Sequence, residues 1–151
     1  MSVDVERFFV DTNLLLYSAD PADPRKREAA NLWLTALWEQ AAGRLSWQVL
    51  HEFYANAIRK LRAPAPKARA TVEALAQWQP VDNSLALIQR AWYWMDTAGL
   101  PYWDSLIVAA AERTSCAFLL SEDFQEARKF GGVTIVNPFR SLPRQFGLGA
   151  G

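Results

Sequence analysis

Thiol and imidazole are nearly missing from this 151-residue chain, which holds one cysteine, Cys116, and one histidine, His51. A lone cysteine excludes an internal disulfide, and among apolar neighbours it reads as a packed small hydrophobe rather than a nucleophile. One imidazole and one thiol also exclude a zinc site built on nitrogen and sulfur. His51 is left with a surface or partly buried role. Long apolar runs are missing as well. The longest, Leu106 to Ala111, falls far short of the ~20 residues of a membrane-spanning helix, so no membrane partner is expected. No basic start with an apolar stretch and a small-residue cleavage site opens the chain, so a cytoplasmic protein is expected. Neither sign of charge is in excess: 16 Lys and Arg face 16 Asp and Glu. A hydrophobic fraction of 51% with no net charge argues against disorder and for one domain with an ordinary core. Also absent are the Gly-x-Ser-x-Gly elbow, the phosphate-cradling Gly-x-x-x-x-Gly-Lys and the dinucleotide Gly-x-Gly-x-x-Gly. No repeat, low-complexity tract or interdomain linker interrupts the chain.

What is present is an alternation of short apolar strands and longer helices. Glu6 to Val10 is an apolar run ending at Asp11-Thr-Asn13. Arg25 to Ala42 is predicted as a helix, with Ala29, Leu32, Trp33, Ala36 and Leu37 on one face and Gly43 ending it. A short strand is expected near Leu45 and Ser46. A second helix runs from Trp47 to Leu61 on a stripe of Trp47, Leu50, Tyr54, Ile58 and Leu61. The Ala-Pro-Ala-Pro run at 63–66 breaks the chain before a helix from Lys67 to Trp78. Pro80 and Val81 form a possible buried strand, and Ser84 caps a helix to about Ala98, closed by Gly99-Leu-Pro101. Asp104 to Thr114 is the next helix, with strands at Ala117 to Leu120 and Val133 to Val136. The tail from Pro143, ending Gly-Leu-Gly-Ala-Gly, is expected to fray. Such alternation predicts a parallel sheet covered on both faces, with ligands beyond the carboxyl ends of its strands. Right-handed crossovers put the turns after Val10 and Leu120 on one edge of that sheet.

Both turns carry acids. Asp11 and Asn13 read as helix-capping residues or as a carboxylate held in orientation by an amide. Asp104 reads as a charge favoured at a helix start. A cap alone leaves its apolar wheel neighbours Ile107, Val108 and Ala111 unexplained, because a carboxylate there is expensive unless paired or cation-bound. On the same wheel Ser105 and Glu112 fall on the opposite side. Asp123 reads as a turn residue with Ser121 or as a site acid. Alternation turns Ser121 and Asp123 one way and Glu122, a rival for the same role, the other. Glu52 lies off its helix's stripe, beside Asn56 and Arg59, and reads as a surface charge. Oxygen donors without nitrogen or sulfur point to magnesium or manganese. Zero net charge counts against a nucleic-acid partner until four acids are set aside around cations, which leaves 12 acids against 16 bases. The bases cluster at Arg25-Lys26-Arg27, at Arg59-Lys60 with Arg62, Lys67 and Arg69, and at Arg128-Lys129. Each cluster reads equally as a solvated helix face. The seven tryptophans mostly fall on helix stripes and read as core, with base stacking open to any that are exposed.

Four motifs stand in order: Asp11-Thr-Asn13-Leu-Leu, Gln48-Val-Leu-His-Glu52-Phe-Tyr, Tyr102-Trp-Asp104-Ser-Leu-Ile and Leu119-Leu-Ser-Glu-Asp123-Phe. Together, over about Phe8 to Phe139, they resemble the PIN-domain family and, within it, the VapC-type toxins of toxin–antitoxin pairs. The resemblance implies a three-layer α/β/α sandwich around a central parallel sheet, as one domain over 1–142 with a flexible tail over 143–151. It implies an endoribonuclease dependent on one or two Mg2+ or Mn2+ ions, cutting RNA. Its acids would be Asp11, Glu52, Asp104 and Asp123, supported by Asn13 and Ser121. A homodimer and a cognate antitoxin protein are implied too. The Ser-Glu-Asp order of the last motif leaves Glu122 able to share or replace the duty of Asp123. Asn13 stands where a haloacid dehalogenase type needs a second Asp. A non-catalytic PIN-like module binding RNA or protein is the alternative function.

Overall fold

The computed structural model describes residues 5–149. Five short strands form one sheet: β1 (Phe8–Val10), β2 (Gly43–Arg44), β3 (Phe118–Leu120), β4 (Lys129–Phe130) and β5 (Val133–Val136). Their spatial order is β2-β1-β3-β5-β4, parallel throughout except for β4, which runs antiparallel to β5. Six helices flank the sheet in the expected three-layer α/β/α arrangement: α1 (Thr12–Ser18), α2 (Pro24–Glu39), α3 (Trp47–Arg59), α4 (Ala65–Leu75), α5 (Leu85–Ala98) and α6 (Tyr102–Arg113). The helix starts follow local chemistry. Asp23, Ser46 and Ser84 each accept a backbone N–H three residues on, satisfying one donor that the first turn leaves free.

Several boundaries differ from expectation, each for a physical reason. Helix α4 begins at Ala65, because Pro66 fits a first turn, where a missing N–H costs nothing. Helix α2 stops before Gly43: Ala41, at φ 52°, makes the left-handed turn, and Gly43 enters the sheet instead. A Cβ at Gly43 would meet the Trp78 indole at 2.4 Å, so close packing, not turn geometry, requires glycine there. The strand expected at Leu45 lies two residues earlier, while Ser46 and Val81 pair as an isolated parallel bridge. Strand β4 was not expected. Gly131, at φ 60°, followed by Gly132 is a hairpin signal of the kind that joins antiparallel strands. The tail is not frayed where it is described: Pro143–Phe146 is a 3-10 turn and Leu148 is fully buried. Residues 150 and 151 of the expected tail lie outside the described residues.

The core is continuous across the sheet. Phe8, Phe9, Val10, Leu119, Leu120, Ile135 and Val136 are buried on it, and Trp33 and Phe53 are buried from the helix layers. On α2 the buried residues are Ala30, Trp33, Ala36 and Leu37, and Leu32, expected inside, is half exposed. On α3 the buried residues are Val49, Leu50, Phe53 and Ala57, so the true stripe is rotated from the expected one. Helix α6 is buried from Ser105 to Ala111 without a break, and Ser105 is inside rather than opposite Asp104.

Candidate active site

The strand order itself makes a crevice. From β1 the chain goes to β2 on one side and later returns to β3 on the other, so the loops leaving β1 and β3 diverge at a switch point. The register pairs Val10 with Leu120, which puts Asp11 and Ser121 side by side just beyond the sheet. Ser121 Oγ donates to Asp11 Oδ2 at 2.7 Å. The other oxygen, Oδ1, accepts from the Thr12 N–H, also at 2.7 Å, as the cap of α1. The capping and positioning readings of Asp11 therefore hold together.

Glu52 comes to the same place from α3. It stands on the border of the Val49–Phe53–Ala57 stripe, where Thr12 Oγ1 donates to its Oε2 at 2.7 Å and Gln48 Nε2 to its Oε1 at 3.1 Å. Asp104 is the third residue of α6, in its first turn, and its carboxylate has no hydrogen-bond or ion-pair partner among the described residues. Asp123 accepts from Asn13 Nδ2, and its own N–H donates to Ser121 Oγ at 3.1 Å. All four acids, with Thr12, Asn13, Gln48, Asn56, Lys60 and Trp103, line one cleft of about 160 Å³.

Glu122 takes no part in this lining. Its Oε2 pairs with Lys26 Nζ at 2.8 Å, and Lys26 also lies over the rings of Tyr17 and Phe139 at 4.5 and 5.0 Å. That pair keeps Glu122 out of the lining, although residues 122 and 123 lie in bends rather than in the extended segment that alternation assumes. His51 is exposed on α3 and Cys116 is buried. Burial pushes the Cys116 thiol up to about 11, which makes it inert as a nucleophile.

The electrostatics of the cleft are only partly relieved. Asp11 is only 8% exposed, and burial raises its carboxyl to about 6. The Ser121 and Thr12 donors oppose that rise, while the charges of Asp123 and Glu52 add to it. Asp104 is raised by burial and then by the charges of Asp123 and Glu52. Asp123 is raised by burial and by Glu122, against the Asn13 donor and Lys26. Lys60 is the one base among the lining residues. The donor set is entirely oxygen, the kind that hard divalent cations take. As the side chains stand, no three His, Cys, Asp or Glu among the described residues are close enough to share an ion. The acids face one another across the cleft, each of three held by a rotatable neighbour and Asp104 free.

A family model described as PIN domain matches residues 8–130. Among solved structures the chain is similar to Mycobacterium tuberculosis VapC20, a toxin that cleaves the sarcin–ricin loop. The TM-score is 0.56 and the identity 18%, covering 74% of this chain and 86% of that one. It is also similar to VapBC2 from Rickettsia felis, solved bound to a DNA fragment from its promoter. There the TM-score is 0.56 and the identity 15%, covering 85% of this chain and 96% of that one. At such identities the likeness is one of fold. No significant match is found among curated proteins.

Proposed function

The chain belongs to the PIN-domain family, and from that premise we propose that it is a metal-dependent endoribonuclease, the toxin of a toxin–antitoxin pair. One observation carries the reading. Acids from four separate stretches of chain, Asp11, Glu52, Asp104 and Asp123, line one cleft at the switch point of the sheet. Charges left this poorly compensated are destabilising unless something positive joins them.

In this reading the four carboxylates hold one or two Mg2+ or Mn2+ ions through oxygen. When bound, such ions acidify a water and neutralise charge on the phosphate and its leaving oxygen. The chain's own residues set the geometry. Ser121 and the Thr12 N–H hold Asp11 by both oxygens, Asn13 orients Asp123, and Thr12 and Gln48 orient Glu52. Lys60 offers the incoming phosphodiester a positive charge at the rim. The same reading carries a cytoplasmic homodimer inhibited by a cognate antitoxin protein; no helix among the described residues is long and apolar enough to cross a membrane.

Asp11→Asn and Asp104→Asn are each expected to abolish RNA cleavage in magnesium or manganese while the protein stays folded by circular dichroism. Wild-type activity in both variants would remove the site assignment. DNA and a phosphomonoester assayed in parallel separate a ribonuclease from other users of the same metal chemistry. The alternative, a non-catalytic module binding RNA or protein, draws support from the acids not closing on a common point. RNA affinity without cleavage under any divalent cation would favour it.

A further inference from the structure

Trp103 is out of keeping with the other tryptophans. Trp33 is fully buried and Trp94 nearly so. Trp38 and Trp92 are about half exposed, and Trp38 leans on Trp78 at 5.8 Å between ring centres. Trp103, second residue of α6, is 62% exposed, the most of any tryptophan among the described residues. It is also the one exposed large hydrophobic side chain lining the carboxylate cleft. Leaving an indole in water forfeits the burial that normally stabilises it, so the fold gains nothing from this placement.

The indole is nonetheless held. Tyr102, packed against the core, meets it edge-on at 5.3 Å and 61°. Its cleft neighbours are mostly polar: Asp104 follows it in sequence, Asn56 comes from the last turn of α3 and Lys60 caps that helix. The apolar residues of the lining, Leu16 and Ile107, are part-buried and buried. Lys60 Nζ makes no ion pair or hydrogen bond among the described residues. A propped aromatic surface, an uncommitted cation and a row of acids thus share one cleft. A protein interface would call for an apolar surround at its centre. A nucleotide calls for an aromatic face for the base and a cation for its phosphate.

We propose that Trp103 is a stacking platform for an unpaired base beside the scissile phosphate, with Lys60 taking a neighbouring phosphate. This rests on the ribonuclease reading and requires the nucleotide beside the cut to be unpaired, because a base inside a duplex has no free face to offer.

The test uses short single-stranded RNA, binding being read by fluorescence anisotropy on the Asp11→Asn protein in magnesium. Adding Trp103→Ala should weaken binding about tenfold, and Trp103→Phe should restore most of it. An abasic residue at the flanking position should cost the Trp103 protein a similar factor and the Trp103→Ala protein nothing more. Lys60→Gln should lower the slope of log affinity against log salt by about 0.7, one phosphate contact on a single strand. Binding undiminished by Trp103→Ala, or an abasic penalty equal in both proteins, overturns the stacking role. A fall in molecular mass by light scattering in Trp103→Ala, with RNA affinity unchanged, overturns it in favour of a protein interface. Wild-type protein that binds RNA through Trp103 but cuts none supports the platform while removing the nuclease. Wild-type protein that neither binds nor cuts RNA removes both.

Discussion

Asp11 is the residue in which fold and chemistry conflict most directly. In the unfolded chain its carboxyl ionises near 3.8, whereas in the fold it ionises near 6, chiefly through burial. Between those values the unfolded state has released a proton that the folded state keeps, so stability falls as pH rises. Above about pH 6 the loss is complete, at roughly 3 kcal/mol. Asp104 and Asp123, also raised, slope the same way. In chelator, the melting temperature is therefore expected to fall as pH rises from 4 to 6.5. Asp11→Asn should melt higher than wild type near pH 7, and saturating magnesium should close the gap. Melting curves in which the variant is the less stable protein in chelator would contradict this account. The residues differ in how legible they were. Asp11, Asp123 and Ser121 could be read from strand ends, whereas the pairing of Glu122 with Lys26, distant in sequence, could not. Nor could Glu52, because the Trp47–Tyr54–Ile58 stripe pointed the helix the wrong way. The spacing of Val49, Phe53 and Ala57 was the available signal, with Glu52 on its border. Ser105 was misplaced because the middle of α6, from Ser105 to Ala111, is buried on every side and carries no one-sided pattern.

Among the elements, the end of α2 shows how local chemistry and close packing compete. The helix closes with Ala42 N–H donating to Leu37 C=O at 3.0 Å and Ala41 N–H to Trp38 C=O at 3.2 Å. That closure places exposed Ala41 at φ 52°, where a Cβ is strained and glycine is not. Ala41→Gly is expected to stabilise the protein by about 1 kcal/mol in urea unfolding. An equal or lower midpoint would show that the closure is not strained. The nearby glycine that seemed to end the helix is needed two residues on, under Trp78. Sequence pattern located α2 to α6 to within a few residues, since each has a cap or a proline at its start, whereas the seven-residue α1 was signalled only by its cap Asp11. The pattern missed β4 because two residues are too few for periodicity, leaving only the Gly131-Gly132 turn to announce it.

At the scale of the whole molecule, the α/β class was visible in the alternation of elements, but the strand order was not. Order depends on which helices cover which face, and no single segment records that. The C-terminal segment was misread for a similar reason, because its glycines suggest mobility while its apolar residues find a distant core. Phe146 lies 5.0 Å from Phe118, 5.9 Å from Trp33 and 6.1 Å from Phe8 by ring centres, and Leu148 is fully buried. Leu148→Ala should lower unfolding free energy by about 3 kcal/mol in urea. A change below roughly 1 kcal/mol, the scale of a surface substitution, would return the segment to the status of a loose tail. The sheet has one more consequence. Its two outer strands, β2 and β4, are each only two residues long, so neither rim offers a row of free amides and carbonyls as a template. Backbone augmentation by an added strand is thereby disfavoured, as is ribbon-like self-aggregation. A partner, whether a second copy or an inhibitor, is expected to grip mainly side chains on its helices and loops.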